Sequence, residues 1–154
     1  MSERASPAPP EVTVVDRQRT ARLSPVRIVA FAEFVLERLR RPGAQVTILL
    51  VGDRAMRALN RRWRGKDATT DVLSFSQQEG AGGGLHPELL GDVVVSVPTA
   101  LRQAQQGRCC FAAELDRLVA HGLLHLLGYE HEGDPAGARA MRRREEALLR
   151  GWRR

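Results

Sequence analysis

The sequence predicts a small α+β domain, in which a mixed four-stranded sheet packs against about five helices and a metal site lies on a central helix. Three observations carry this prediction: short apolar runs typical of strands, apolar stripes at helical spacing, and a histidine cluster within one such stripe. The chain has 154 residues, 43% of them hydrophobic, which suits one domain whose core needs no disulfide. We expect residues 1–10 to form a disordered tail and residues 11–154 to form the domain.

Four segments have the composition of strands, and the second is apolar enough that we expect burial on both of its faces. A glycine-rich segment at 77–88 precedes the fourth strand. It lacks the Gly-Lys-Ser/Thr ending of a phosphate-binding loop, so we interpret it as a hairpin or linker. The predicted strands are Glu11–Val15, Gln45–Val51, Asp71–Phe75 and Asp92–Val97.

Helix signals fill the segments between and after these strands. Capping residues and prolines mark four helix starts. A further helix, from about Cys109 to Leu127, contains two histidines and has Gly128 at its C-terminal cap. The four marked starts are Ser24-Pro25, Asp53 as a cap, Pro98 and Asp134-Pro135.

The chain carries a formal net charge of +6 and has a pI near 10.8. This charge favours RNA, DNA or an acidic membrane surface as a partner, although a solvated basic surface explains the same composition. No apolar run approaches the roughly 20 residues needed to cross a membrane, and the first residues lack the apolar core of a signal peptide. Cys109 and Cys110 are adjacent and cannot pair without strain, so we expect a cytoplasmic protein with reduced thiols.

Three of the four histidines lie in the segment 121–131, HGLLHLLGYEH. His121 and His125 are four residues apart, so on a helix they lie one above the other and can share a metal ion. His131 follows the turn at Gly128 and can supply a third nitrogen. Three histidines leave a fourth position open, as in catalytic zinc sites, so we predict one zinc ion per chain; nickel or copper would also accept imidazole ligands.

The carboxylates near the histidines leave several roles open. Zinc peptidases often place a glutamate directly after the first histidine as general base, but this position is Gly122. Glu114 lies two helical turns before His121 and is either a residue that orients a ligand histidine or a surface glutamate.

The histidine segment closely resembles the signature of the YbeY endoribonucleases, a bacterial family that acts in ribosomal RNA maturation. The segment LNRRWRGKDATTDVLSF at 59–75 resembles a second motif of that family, and Gly91-Asp92 before a strand resembles a third. Three departures lie outside the ligand positions. Glu130 replaces a usual aspartate, Ser76 replaces a common proline, and the glycines at 82–84 look like a lineage-specific loop.

The resemblance implies that His121, His125 and His131 are the zinc ligands and that Arg64 acts with the metal. The implied activity is metal-dependent cleavage of single-stranded RNA by a hydrolase. The implied roles are maturation of the 3′ end of small-subunit ribosomal RNA and ribosome quality control. Ribosomal RNA, the small ribosomal subunit and its assembly factors are the implied partners.

The residues around Arg64 fit RNA chemistry in their own right. A planar guanidinium can hold a phosphate by two hydrogen bonds, and Arg61, Arg62 and Lys66 can contact the RNA backbone. These cations equally suit a solvated helix face. Trp63 can stack on a base, although a core tryptophan is more usual.

Two parts of the chemistry stay open on the sequence alone. Asp92 and Glu130 are candidates for a general base, and the attacking group is either water or the 2′-hydroxyl of RNA. Two alternative functions also stay open: another zinc hydrolase such as a peptidase, and a non-catalytic ribosome-assembly or RNA-binding factor with a structural metal.

Overall fold

The computed structural model describes residues 6–78, 85–129 and 133–153. The elements predicted from the sequence are present, with boundaries that differ by a few residues. In chain order they are β1 (Glu11–Asp16), α1 (Pro25–Arg38), β2 (Gln45–Val51), α2 (Asp53–Arg64), β3 (Val72–Ser76), β4 (Leu89–Ser96), α3 (Val97–Gln106), α4 (Phe111–Leu126) and α5 (Pro135–Trp152).

The four strands form one mixed sheet in the order β1-β2-β4-β3. β1 pairs parallel to β2 and β2 pairs parallel to β4, while β3 pairs antiparallel to β4 along the edge. The segment between β3 and β4 therefore closes a hairpin, and its residues 79–84 lie outside the described residues. This arrangement confirms the predicted α+β class with a mixed sheet.

The main core lies on one face of the sheet. Alternate residues of β2 and β4, such as Ile48 and Val93, are fully buried there against α1, α3, α4 and α5. α4 contacts α1, α3 and α5 as well as both strands of the hairpin. It is the central helix of this layer, in agreement with the predicted place of the histidine helix.

The second face of the sheet is covered only in part by the described residues. α2 packs there through Met56, which is fully buried against Val51, Leu73 and Val94. The prediction that β2 is buried on both faces is wrong, since Gln45, Thr47 and Leu49 are half-buried. The reason is that α2 contacts the carboxyl-terminal part of this face and leaves the amino-terminal part open.

The first turn of α2 also differs from the prediction. The cap position is Gly52, and Asp53 is the first helical residue rather than the cap. The Asp53 carboxylate accepts hydrogen bonds from the hydroxyls of Ser96 and Thr99, each at 2.6 Å. The sequence predicts that this carboxylate caps the backbone amides of α2. In the structure it binds these two hydroxyls near the start of α3 instead.

The predicted tail and domain boundaries stay predictions, but the described part of the tail makes contacts. The Gly43 amide donates to the Ala8 carbonyl at 2.8 Å, and Pro10 is buried. Residues 1–5 lie outside the described residues. Cys109 and Cys110 are both exposed and free, and no helix in the described ranges is long and apolar enough to cross a bilayer.

Helix α4 approaches the sheet closely at Gly122. A Cβ atom at this position would lie 2.5 Å from Val93 Cγ1 and 3.3 Å from Ser74 Oγ. The Ser74 hydroxyl donates a hydrogen bond to the Gly122 carbonyl at 2.9 Å. The glycine therefore lets the helix backbone reach the strands, and the hydrogen bond fixes its position.

We expect Gly122→Ala to lower the free energy of unfolding by about 1–3 kcal/mol, because the new methyl group overlaps a stiff valine in a packed core. Gly151→Ala is the matched control, since its Cβ would meet only the side chains of Phe34 and Arg38. That variant should stay within about 1 kcal/mol of the wild type. Urea unfolding followed by circular dichroism measures both; equal stabilities of the two variants would show that the approach at Gly122 is not tight.

Candidate metal centre and cationic surface

Two of the predicted metal ligands come together on α4. The Nε2 atoms of His121 and His125 are 3.1 Å apart, and the ring centroids are 4.7 Å apart. Two nitrogens at about 2.0–2.1 Å from a tetrahedral zinc ion would be about 3.3–3.4 Å apart. The two imidazoles therefore fit one shared zinc ion with very little movement.

The third predicted ligand, His131, and the candidate base Glu130 lie outside the described residues. α4 ends at Leu126, and Gly128 has left-handed backbone (φ +95°), so the chain turns just before that segment. Within the described ranges no group of three or more potential metal ligands is found. The three-histidine set stays a prediction, with two members placed.

Helix α5 supplies a partner that the sequence did not reveal. The Glu145 carboxylate lies 2.9 Å from Nδ1 of His121, and it is 9% exposed. A carboxylate at Nδ1 keeps the proton on that nitrogen and leaves the lone pair on Nε2. A histidine that binds a metal through Nε2 needs this tautomer. The Nε2 atom of His121 faces Nε2 of His125.

One guanidinium, that of Arg117, lies near this buried carboxylate and a second one. Its guanidinium lies 3.9 Å from Glu145 and makes two hydrogen bonds to Glu114, one of them at 3.1 Å. Glu114 is therefore buried in an ion pair with Arg117, so it is not a surface glutamate. Among the described residues, Glu145 rather than Glu114 is the carboxylate that contacts His121.

The sequence carries a weak signal for Glu145. It lies between Met141 and Leu148 on the apolar side of α5, and both of these neighbours are buried. A carboxylate on the core side of a helix requires a partner. Its partner is 24 residues away in the chain, so helical spacing alone cannot identify it.

The predicted phosphate ligand Arg64 is the last residue of α2. Arg61 and Arg62 precede it and Lys66 follows it, and all four side chains are exposed. Trp63 is 61% exposed, so the prediction of a core tryptophan is wrong. We call these five residues, Arg61, Arg62, Trp63, Arg64 and Lys66, the cationic surface.

The loop that follows the cationic surface is fixed at several points. Asn60 donates to the Ala68 carbonyl at 2.8 Å, and Arg57 pairs with Asp67 at 2.9 Å.

At the other end of α2, partial burial acts to raise the pKa of Asp53. Hydrogen bonds from Ser96, Thr99 and Arg102 outweigh it and lower that pKa to about 2. Asp53 is therefore ionised at neutral pH and ties α2 to α3.

Strand β3 contacts both helix α4 and the cationic surface. Ser74 and Phe75 are consecutive, so their side chains point to opposite faces of the sheet. Ser74 binds Gly122, which is next to His121, and the Phe75 ring lies 6.1 Å from that of Trp63, which is next to Arg64. Helix α4 and the last turn of α2 thus contact consecutive residues of the same edge strand, on opposite faces of the sheet.

Asp92, the other candidate base, lies on β4 directly opposite Phe75. It lines a polar cavity of about 390 Å³ on the open part of the second face, together with Thr13 and Thr47. Burial raises the pKa of Asp92. The structure places it on the same face as the cationic surface and leaves its role in proton transfer a prediction.

The family model described as Endoribonuclease YbeY matches residues 13–153 of the chain. A relative of that name from Anaeromyxobacter sp. (strain Fw109-5) is 58% identical over 124 residues, which cover 80% of this chain and 62% of the relative. Another from Anaeromyxobacter dehalogenans is 52% identical over 135 residues, 88% of this chain and 66% of the relative. The chain therefore spans less than two thirds of the length of these two relatives.

Other matches cover nearly whole proteins. An Endoribonuclease YbeY from Geobacter metallireducens is 37% identical over 140 residues, which cover 90% of this chain and 93% of the relative. The solution structure of TM1509 from Thermotoga maritima superposes with a TM-score of 0.61 at 22% identity, covering 92% of this chain and 91% of that one. At this identity the second likeness concerns the fold alone.

We expect Glu145→Gln to weaken zinc binding by about 10- to 100-fold, because the histidine loses the charged partner that orients it. Glu146→Gln, an exposed neighbour on the same helix, is the matched control and should keep the wild-type affinity. Competition with a chromophoric zinc chelator measures both affinities, and thermal unfolding checks that each variant is folded. A folded Glu145→Gln protein with unchanged zinc affinity would contradict the orienting role.

Proposed function

Because the chain belongs to the YbeY endoribonuclease family, we propose that it is a metal-dependent endoribonuclease that cleaves single-stranded RNA. One observation carries the proposal beyond the family: the Nε2 atoms of His121 and His125 converge to 3.1 Å on α4, a spacing that suits two ligands of one zinc ion. A reacting phosphate needs a Lewis acid and a cationic clamp; the histidines would hold the first, and Arg64 would supply the second.

We propose that its substrate is ribosomal RNA, and that it acts in 3′-end maturation of the small-subunit RNA and in ribosome quality control. The partners would be the small ribosomal subunit and its assembly factors, in the cytoplasm. The family supports the RNA substrate. The net charge of +6 and the four exposed cations beside Trp63 agree with a polyanionic ligand.

His121 and His125 would hold one zinc ion through Nε2, with His131 as the proposed third ligand. Bound zinc supplies a Lewis acid and lowers the pKa of coordinated water to about 7. Glu145, 2.9 Å from Nδ1 of His121, would hold the proton on that nitrogen and so keep Nε2 available. Burial of α4 against the sheet holds both rings near their metal-binding geometry before any metal arrives.

Arg64 would hold the reacting phosphate by two parallel hydrogen bonds, which the planar guanidinium favours. Arg61, Arg62 and Lys66 would contact phosphates along the strand. The turn after α2 and the bonds of Asn60 and Arg57 to the following loop restrict the helix end, so little order has to be gained on binding.

The arrangement at Gly122 argues against a zinc peptidase. The glutamate of such enzymes follows the first histidine and must reach the metal-bound water. In this protein the corresponding position faces Val93 and Ser74 in the packed interior. A side chain there would point into the sheet, away from the histidine pair.

We expect purified protein to contain about one zinc ion per chain and to cleave single-stranded RNA. Chelation should abolish cleavage, and added zinc should restore it. His121→Ala should lose bound zinc and cleavage together, because it removes one of the proposed ligands. The control is His86→Ala, since His86 is exposed and pairs with Glu88 away from α4.

Elemental analysis and a labelled RNA substrate give both readouts on the same preparations. Zinc without cleavage would favour the assembly-factor alternative with a structural metal. RNA cleavage that persists in metal-free His121→Ala protein would disprove the role of the metal.

Arg64→Ala should keep its zinc and lower the rate of RNA cleavage by about 10²-fold, because one preorganised donor to the developing charge is lost. Arg64→Lys should recover part of the rate, since it keeps the charge and loses the paired geometry. Arg54→Ala, at the other end of the same helix, is the control and should cleave normally. Single-turnover kinetics separates the chemical step from binding, and a wild-type rate for Arg64→Ala would exclude the clamp.

A further inference from the structure

Trp63 is 61% exposed, although indole is a large apolar group. The other tryptophan, Trp152, packs against Phe31 and Phe34 with ring centroids 5.4 and 5.3 Å away. An exposed indole gains little from the hydrophobic effect, so folding alone does not account for its position. Tryptophan is enriched at interfaces, where its ring is both a large apolar surface and a hydrogen-bond donor.

The exposed indole is held in place rather than left to rotate. The Phe75 ring packs against it in an edge-to-face arrangement, with ring centroids 6.1 Å apart and an interplanar angle of 67°. The Arg62 guanidinium carbon lies 5.1 Å from its centroid. These contacts restrict the ring while most of its surface stays accessible, so a ligand that stacks on it pays little entropy for ordering the side chain.

The charges around Trp63 select the kind of ligand. Arg61, Arg62, Arg64 and Lys66 are exposed within six positions of the chain. The acidic residue that follows them, Asp67, is paired with Arg57. A flat apolar ring inside a group of cations suits a molecule with a π-face and a phosphate backbone.

We propose that Trp63 is a stacking site for an unpaired nucleobase of a single-stranded nucleic acid. This inference rests on the proposed function for the identity of the ligand and adds a contact to it. The base stacks on Trp63 while the neighbouring cations hold phosphates of the same strand. A duplex does not fit, because its base faces are already stacked on one another, so the site favours single strands whatever their sequence.

Binding is measured by fluorescence anisotropy with a labelled single-stranded DNA of about a dozen nucleotides, within the range that such proteins cover. This probe offers bases and phosphates without being the proposed RNA substrate. Trp63→Ala should weaken binding by about 5- to 100-fold, and Trp63→Phe should recover most of the loss. An abasic strand should bind the wild type as weakly as the intact strand binds Trp63→Ala.

The salt dependence of the binding constant separates the contribution of stacking from that of charge. Trp63→Ala should leave the slope of log K against log salt unchanged, whereas Lys66→Ala should reduce its magnitude by about 0.7. Val26→Ala is the matched control, because Val26 is 79% exposed on α1, and it should bind like the wild type. Quenching of tryptophan emission by the strand should disappear in Trp63→Phe, which retains Trp152.

The outcomes distinguish this inference from the proposed function. Wild-type affinity in a folded Trp63→Ala protein, or equal weakness of the Ala and Phe variants, would overturn the stacking site. If the wild type cleaves RNA and Trp63→Ala does so with an unchanged KM, the inference alone falls. A wild type that neither binds nor cleaves single strands would overturn both. Retained affinity together with altered self-association in Trp63→Ala would assign the indole to a protein contact instead.

Discussion

The hydrogen bond from the Ser74 hydroxyl to the Gly122 carbonyl fixes helix α4 on the sheet. It works only because position 122 has no side chain, so the helix backbone comes within reach of the strand. Fixing one residue of a helix also fixes its rotation, since neighbouring side chains follow at 100° intervals. The directions of His121 and His125 therefore depend on a contact that neither residue makes.

The burial of Glu145 follows from the same placement. With α4 fixed, α5 packs across it and brings the carboxylate to Nδ1 of His121. An isolated buried carboxylate would be costly; Glu145 has His121 as its hydrogen-bond partner and the Arg117 guanidinium 3.9 Å away. The result is a histidine whose tautomer and direction are set by the fold, which favours metal binding without rearrangement.

Much of this architecture was predictable from local patterns. The strand and helix segments follow from periodicity and capping residues, and the i, i+4 pair at 121 and 125 follows from helical geometry. The features that local patterns do not predict depend on tertiary contacts. Asp53 binds hydroxyls 43 and 46 residues away, and Glu145 reaches a histidine on another helix.

The sequence does not predict the exposure of Trp63 for a related reason. Composition assigns an indole to the core, but α2 presents Met56 to the sheet and its last turn extends past the covered area. How far a helix covers a sheet face depends on its angle and on the neighbouring strands, which the sequence did not reveal. The same uncovered area explains why β2 is fully buried on one face and half-buried on the other.

The two sets of charges around β3 act over different ranges. Glu114 and Glu145 are 7% and 9% exposed and share one cation, Arg117, so one of their two negative charges is balanced inside the protein. Arg61, Arg62, Arg64 and Lys66 are exposed, so they attract a polyanion and are screened by salt. Carboxylates beside a metal site would repel RNA if they faced the solvent; burial and pairing remove that conflict. The residues that orient His121 and those that form the cationic surface are therefore separate sets, which contact the edge strand through Ser74 and Phe75 on opposite faces of the sheet.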